Sequence, residues 1–215
     1  GVEIAAWVQR VGPIPAITDF SEMPLEEIRR RRDASPLGVP EANAEMEGSV
    51  NALRAAGDSW GGAVSCRIEG LPAALGEPVF DKLGALLAHG LLSLPAAVAF
   101  EAGGGESMSH LPGSAIRDPI RLTVEGPRPA ENRHGGLLGG MSTGMPLRIG
   151  VSFHAPTSIP RAIQTVGIGG GEREVTVGGR HDAFPLPRAL PMVEAMAALI
   201  LVDAMACAGR LPERL

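Results

Sequence analysis

The chain has 215 residues, and its 45% apolar content is ample for a buried core in one large domain or two small ones. A net charge of −5 and a pI near 5.6 give no field that would attract a polyanion, so nucleic acid is excluded as an expected partner. We therefore expect a globular protein that does not bind DNA or RNA.

The N-terminal part of the sequence predicts a strand, two helices and a second strand. Residues 2–11 alternate loosely and are rich in β-formers. Helical spacing predicts helices over residues 23–32 and 41–56, the latter ended by Gly57. Strict alternation of apolar and polar side chains over residues 61–70 predicts a half-buried strand.

A dense run of arginines occupies residues 29–32, with Glu22, Glu26 and Glu27 just upstream. Cations suit the C-terminal end of a helix because they oppose its dipole. We interpret this run as the solvated face and end of the first helix.

The middle of the sequence combines one apolar helix with a long irregular region. Pro78 is expected to open a helix that runs through Phe80 to Leu91. Residues 102–132 are rich in glycine, serine and proline around a short possible strand at residues 120–125. This region is therefore predicted to be mostly loop, a natural place for a mobile lid.

Two further segments precede the last helix. Residues 147–153 predict a strand, and the glycines of residues 167–171, followed by Val175 and Val177, favour a hairpin. Strands and helices alternate without a regular βαβ cadence, so an α+β layered fold is favoured over a doubly wound sheet.

The most apolar segment, residues 189–208, is predicted to be a buried core helix. It carries Glu194 and Asp203, which a membrane span would tolerate poorly. Cys66 and Cys207 are expected to be buried, reduced thiols, since they form no Cys-x-x-Cys pair. The sequence begins without a basic or apolar leader, so we expect a cytoplasmic protein with no membrane contact.

Three adjacent residues directly before this last helix have the chemistry expected of a functional site: Arg180, His181 and Asp182. An arginine fork binds phosphate, an imidazole titrates near neutral pH and a carboxylate relays protons. The alternative interpretation is a solvated turn ahead of a helix cap.

Two other segments have candidate ligand-binding chemistry. The glycines of residues 135–144 let the backbone approach a flat cofactor or a phosphate, although a tight structural turn explains them equally well. Residues 156–158 bring two hydroxyls to the end of a predicted strand, with turn chemistry as the equal competitor. The histidines have neither i, i+4 spacing nor cysteine neighbours, so no metal site is expected.

Five segments, in this order, resemble the chorismate synthase family: residues 56–62, 76–83, 132–140, 156–158 and 179–182. The resemblance spans essentially the whole chain but corresponds only to the C-terminal part of that family's enzyme. The N-terminal part, with its Arg-Ala-Ser-Gly-Arg flavin-binding segment, has no counterpart in this sequence.

The resemblance implies that residues 1–215 are a single domain of an incomplete α+β fold, in which helices are sandwiched with antiparallel sheets. It implies a cytoplasmic lyase of the shikimate pathway that removes phosphate from 5-enolpyruvylshikimate 3-phosphate by 1,4-elimination and needs reduced FMN. It also implies a homotetramer, or a missing N-terminal half, as the partner that completes the site.

Site residues follow from the resemblance by position. Asp182 is similar to the aspartate assigned to proton handling near flavin N5, and is therefore the expected catalytic residue. The expected FMN contacts are Ala96, Gly139, Pro156, Thr157, Ser158 and Arg180.

The sequence departs from the family pattern where polar or basic residues are usual. Ala155 replaces the lysine of the flavin loop, with His154 as the nearest cation. Pro95 replaces the asparagine that precedes Ala96, and Pro112 replaces an arginine. The alternative function is therefore a non-catalytic fragment or scaffold that retains the fold around a decayed flavin site.

Overall fold

A computed structural model describes residues 1–20, 22–124 and 126–211 of the chain. The strands are β1 (Glu3–Val11), β2 (Ile14–Pro15), β3 (Gly62–Glu69), β4 (Ala97–Ala102), β5 (Ile120–Thr123), β6 (Gly126–Pro129), β7 (Leu137–Leu138), β8 (Met141–Ser142), β9 (Leu147–Phe153), β10 (Ala162–Val166) and β11 (Glu172–Thr176). The helices are α1 (Leu25–Ala34), α2 (Ala44–Ala55), α3 (Leu83–Leu92) and α4 (Leu186–Cys207).

One five-stranded antiparallel sheet, with the strand order β2-β1-β3-β9-β4, forms the centre of the described chain. Cys66 on β3 pairs with Ala6 on β1 and with Ile149 on β9. Because side chains alternate between the two faces, these three share a buried apolar face, whereas Arg67 and Arg148 lie on the other. The predicted alternation of β3 is therefore confirmed.

Helices cover both faces of this sheet. α3 and α4 pack against the apolar face, and the buried side chains of α2 join the same core. α1 packs on the opposite face, where Leu25 and Ile28 contact Trp7 and Phe20. The rings of Trp7 and Phe20 meet edge to face, with their centroids 6.2 Å apart. The α+β class with antiparallel strands is confirmed.

The outer edge of β1 is covered by side chains from both helical layers. Arg32 on α1 donates to the carbonyl of Ala6 and to Oε1 of Glu194 on α4. The same Oε1 accepts the amide of Ala6 at 2.8 Å, and the amide of Val8 donates to the carbonyl of Gly38. The polar groups of this edge are thus satisfied, which protects the edge from pairing with another chain.

The arginine run is solvated only in part, contrary to the prediction. Arg30 and Arg31 bind Glu27, and their hydrogen bonds lower the pKa of that carboxyl to about 2. Arg32, in contrast, keeps only 13% of its side chain exposed, because it turns inward to Glu194. Burial lowers the pKa of Arg32, but its hydrogen bonds to Glu194 and Asp33 outweigh burial and raise it.

The first two helices are confirmed, with starts two and three residues later than predicted. α1 begins at Leu25 because Pro24, in an extended conformation, occupies the N-cap. α2 begins at Ala44 because the side chain of Asn43 accepts the amide of Met46 at 2.9 Å. Strands β1, β3 and β9 match their predicted segments closely.

The predicted start of α3 is wrong, because the helix begins at Leu83 and not at Pro78. Val79 has a φ of 64°, in the left-handed region that a helix excludes. Phe80 is 85% exposed and so contributes nothing to the core. The segment from Pro78 to Lys82 is an irregular approach to the helix.

Within the described residues, three two-stranded sheets lie outside the central sheet. The strand expected at residues 120–125 is confirmed for β5, and Glu125 lies outside the described residues. The hairpin expected around residues 167–171 is confirmed as β10–β11, whose last paired residue is Thr176. β7 and β8 form a hairpin within the glycine loop. β4, at the edge of the sheet, was not predicted from the sequence.

α4 is buried on one face only, which corrects the prediction of a buried core helix. Its inner face consists of Leu186, Leu190, Val193, Ala197, Leu201 and Ala204. A second apolar stripe at Met192, Ala195, Leu199 and Val202 is exposed, with Leu199 at 67%. By length and composition alone this helix could cross a membrane, but its inner face packs on the sheet.

The two cysteines have opposite environments. Cys66 is buried in β3, and burial raises the pKa of its thiol far above the usual range. Cys207, at the end of α4, is exposed, so its expected burial is wrong.

Replacement of Glu194 by alanine should lower the free energy of unfolding by about 2 kcal/mol, because Arg32 and the amide of Ala6 lose their shared acceptor. Urea unfolding followed by circular dichroism measures this loss. Asp203→Ala, an exposed acidic position on the same helix, is the matched control and should change stability little. Equal stability of the two variants would contradict the role given to Glu194.

Thiol labelling should separate the two cysteines. Under native conditions we expect Ellman's reagent to modify Cys207 and to leave Cys66 unreacted, because only the exposed thiol reaches the reagent. Both thiols should react in guanidinium chloride. Fast labelling that persists in a Cys207→Ser variant would show that β3 is not buried as described.

Candidate functional site

An apolar cavity lies where the end of α3, the end of β9 and the start of α4 meet. Its volume is about 240 Å³. The lining residues are Pro95, Ala96, Phe153, His154, Pro156, Pro185, Leu186, Arg188, Ala189 and Met192. The cavity therefore joins two predicted flavin contacts, Ala96 and Pro156, with the imidazole of His154 and the guanidinium of Arg188.

Asp182 reaches this cavity through an ion pair with Arg188. Arg188 is in the first turn of α4, and its Nη1 lies 3.2 Å from Oδ2 of Asp182. Asp182 keeps about a third of its side chain exposed, so the carboxylate remains accessible. The pair holds this carboxylate next to Arg188, which lines the cavity.

Arg180 offers a free guanidinium two residues before Asp182. Arg180 is exposed, and among the described residues no side chain or carbonyl binds it. His181, between the two, places Nε2 3.1 Å from the carbonyl of Val177 and so points back toward β11. The loop thus presents one cation and one carboxylate to a ligand, with the imidazole turned away.

The loop after β9 presents two hydroxyls beside the same cavity. Thr157 and Ser158 are exposed, and within the described part of the chain neither hydroxyl has a hydrogen-bond partner. The carbonyl of Pro156 accepts a hydrogen bond of 2.6 Å from Oγ of Ser59. A loop held by its backbone, with its hydroxyls left free, is suited to donate to an anionic ligand.

Ala96 holds a strained backbone conformation at the wall of the cavity. Its φ is 66°, in the left-handed region that costs a residue with a Cβ about 1–2 kcal/mol. Its carbonyl accepts the amide of His154 at 3.0 Å, which ties the end of α3 to the end of β9. Such outliers often mark functional sites, because the surrounding structure must hold them in place.

Gly139 lies away from this cavity, at the opposite end of α3. It forms the turn of the β7–β8 hairpin with Gly140, both at positive φ, so the glycine loop is here a tight turn. The carbonyl of Gly140 accepts the amide of Leu83, the first residue of α3, whereas Ala96 follows the last turn. A helix of this length spans about 15 Å. The flavin contact expected of Gly139 stays a prediction.

A larger and more open cleft, of about 830 Å³, lies between residues 113–119 and 131–138. Within it, Oδ2 of Asp118 is 3.0 Å from Nδ1 of His134. Burial raises the pKa of Asp118, but hydrogen bonds from the Arg133 amide and from His134 outweigh burial and lower it. None of the predicted site residues lines this cleft, so we place the candidate site at the smaller cavity.

Two contributors to the site were missed by sequence reasoning. Arg188 stands six residues after Asp182, and its position in the first turn of a helix was the available signal. Ser59 belongs to residues 56–62, which were noted only as part of the resemblance. Its contact with Pro156 joins residues 97 apart in sequence, and no local pattern reveals such a contact.

Comparison with known proteins identifies close relatives. A family model described as chorismate synthase matches residues 1–206. The chain is 42% identical over 207 residues to a chorismate synthase of Opitutus terrae, covering 94% of this chain and 55% of the relative. It is 40% identical over 207 residues to chorismate synthase 1, chloroplastic, of Solanum lycopersicum, covering 94% and 47%. The chain thus spans about half the length of these relatives.

The fold also matches a solved structure. A crystal structure of chorismate synthase superimposes with a TM-score of 0.78 and covers 97% of this chain and 57% of that one. Sequence identity in this comparison is 21%, so the match supports the architecture alone.

Replacement of Ala96 by glycine should raise the free energy of unfolding by about 0.5–1 kcal/mol, because glycine adopts the left-handed conformation without strain. The neighbouring Ala97→Gly, within β4, is the control and should be destabilising by about the same amount. Urea unfolding of both variants measures the difference. Destabilisation by both would show that Ala96 is not strained.

Proposed function

Because the chain belongs to the chorismate synthase family, we propose that it supplies the C-terminal part of a site that eliminates phosphate from 5-enolpyruvylshikimate 3-phosphate and forms chorismate. This is a carbon–oxygen lyase reaction of the shikimate pathway. The observation that carries the proposal is the meeting of Ala96, Pro156 and the Asp182–Arg188 pair around one apolar cavity.

The residues around the cavity fit reduced FMN. A flat ring system suits walls made of Ala96, Phe153 and Leu186, and an anion suits the guanidinium of Arg188 and the imidazole of His154 at the same place. Hydrogen-bond donors on both flanking loops, unpaired among the described residues, also suit this cofactor. When bound, reduced FMN supplies transient electron density to the reaction although no net oxidation occurs.

We assign separate tasks to the residues of the two loops. Arg180 and the hydroxyls of Thr157 and Ser158 bind anionic oxygens of the cofactor or the substrate, since they are unpaired donors among the described residues. Asp182 accepts the proton that leaves the substrate, directly or by relay, with Arg188 holding its carboxylate in position. The apolar walls exclude water from the reacting atoms.

His154 takes over part of the role of the absent loop lysine. It lines the cavity at the end of β9, and its Nδ1 lies 2.7 Å from the carbonyl of Ala155. An imidazole carries a full charge only when protonated. We therefore expect weaker binding of a phosphate here than at a site with lysine.

A further half of the protein is proposed to complete the site. Ligand pockets begin at about 300 Å³, and this cavity is smaller. This chain therefore supplies only one wall of the complete site. The exposed apolar stripe of α4, with Met192, Leu199 and Val202, is the kind of surface that another layer of structure covers. The remaining half of the fold is the occupant we propose, within a cytoplasmic homotetramer as the resemblance implies.

Flavin titration tests the proposal. Oxidised FMN added to the purified chain should lose fluorescence as it binds, and anaerobic phosphate release from 5-enolpyruvylshikimate 3-phosphate should require the N-terminal half in addition. Unquenched fluorescence at high protein concentration would favour a scaffold with a decayed flavin site. Phosphate release by this chain alone would show that the second half is dispensable.

Asp182→Asn should abolish turnover in the completed enzyme while flavin binding changes little, because the amide keeps the shape but cannot relay a proton. We expect a loss of at least about 100-fold in kcat. Asp203→Asn, far along α4, is the control and should retain activity. Full activity of Asp182→Asn would remove Asp182 from the catalytic role.

A further inference from the structure

One short segment, residues 58–61, contacts both loops of the candidate site. It lies in the connection between the end of α2 and the start of β3. We name it the bracket. None of its side chains lines the cavity itself, so any effect on the site passes through the loops.

The first contact of the bracket fixes the loop after β9. Ser59 is only 6% exposed, and its Oγ donates to the carbonyl of Pro156 at 2.6 Å. Beside it, Oδ2 of Asp58 binds Nη1 of Arg161 at 2.7 Å. Two points of the loop, on either side of Thr157 and Ser158, are therefore anchored to the bracket.

The second contact fixes the loop before α4. The amide of Trp60 donates to the carbonyl of Ala183 at 2.8 Å, one residue after Asp182. The side chain of Trp60 makes a separate hydrogen bond of 2.8 Å, from its Nε1 to Oγ of Ser49 on α2. Adjacent residues, Ser59 and Trp60, thus hold the two loops from a single stretch of backbone.

The last residue of the bracket packs closely on the backbone at the end of β9. A Cβ placed on Gly61 would lie 2.3 Å from the carbonyl oxygen of Phe153 and 2.7 Å from the amide of Ala155. The backbone of the bracket therefore packs directly on the backbone that leads into the loop after β9. Such packing transmits a displacement of the bracket to the loop instead of absorbing it.

From this geometry we propose that the bracket sets the spacing between the loop after β9 and the loop before α4, and that Ser59 is a positioning residue for flavin binding. The inference rests on the proposed function. Loss of the Ser59 hydroxyl leaves the Pro156 carbonyl without its donor and frees the loop that presents Thr157 and Ser158. The ligand would then have to order that loop, so binding weakens although no ligand contact is removed.

Flavin titration of Ser59→Ala is the first test. We expect about tenfold weaker binding of oxidised FMN than in the parent chain, the loss that corresponds to one hydrogen bond. Ser59→Thr keeps the hydroxyl and should restore affinity to within about twofold of the parent chain. If Ser59→Ala does not fold, Ser59→Cys takes its place in the titration, because a thiol is similar in size but is a weaker hydrogen-bond donor.

Ser49→Ala is the matched control. It also removes a serine hydroxyl that binds the bracket, but this hydroxyl contacts the indole of Trp60 and neither loop. It should lower stability without weakening flavin binding. An equal loss of affinity in Ser49→Ala and Ser59→Ala would reduce Ser59 to a general stabilising role and overturn the inference.

A measurement without flavin separates this inference from the proposed function. Backbone hydrogen exchange in residues 154–161 should be faster in Ser59→Ala than in Ser49→Ala or the parent chain. Unchanged exchange would overturn the inference whether or not FMN binds. Failure of the parent chain to bind FMN, with faster exchange in Ser59→Ala, would overturn the proposed function and leave the bracket as the support of the two loops.

Discussion

The architecture depends on the carboxylate of Glu194, which fastens α4 to the edge of the sheet. The carboxylate of Glu194 accepts hydrogen bonds from the amide of Ala6 and from the guanidinium of Arg32. α4, β1 and α1 therefore meet at one point, although the two helices lie on opposite faces of the sheet. A partly buried carboxylate is favourable only when such donors are present. The first turn of α4 carries Arg188, and the loop before it carries Asp182. The same contact therefore helps to position the helix whose first turn holds Asp182, the carboxylate that we propose for acid-base work.

The candidate site is assembled from chain segments that are distant in sequence. The ends of α3 and β9 are tied by the amide of His154 and the carbonyl of Ala96. The start of α4 closes the third side, and the bracket at residues 58–61 contacts the loops from β9 and before α4. Loops that carry exposed hydroxyls can thus be held in place by a rigid support, as binding sites require. We expect Ala155, at the position where the family has a lysine, to weaken phosphate binding without disturbing this support.

Local patterns in the sequence predicted those parts of the fold that local physics controls. Alternation located β3, helical spacing located α1 and α2, and the apolar content of residues 189–208 located α4. Phe80 was misassigned to a helix because its apolar side chain fits the spacing, while the left-handed Val79 beside it leaves no sequence signal. The inward turn of Arg32, the exposed stripe of α4 and the pairing of Arg188 with Asp182 depend on residues far away in the chain. The family resemblance named the two loops, but only the structure placed Gly139 at the other end of α3 from Ala96.

The central claim is that the cavity between Ala96, Pro156 and Arg188 is the wall of a flavin site. A crystal structure obtained from crystals of the chain soaked with oxidised FMN tests this claim most directly. The account predicts density for the isoalloxazine ring against these three residues, with Thr157 or Ser158 near its polar atoms. Density confined to the open cleft beside Asp118 and His134 would contradict it.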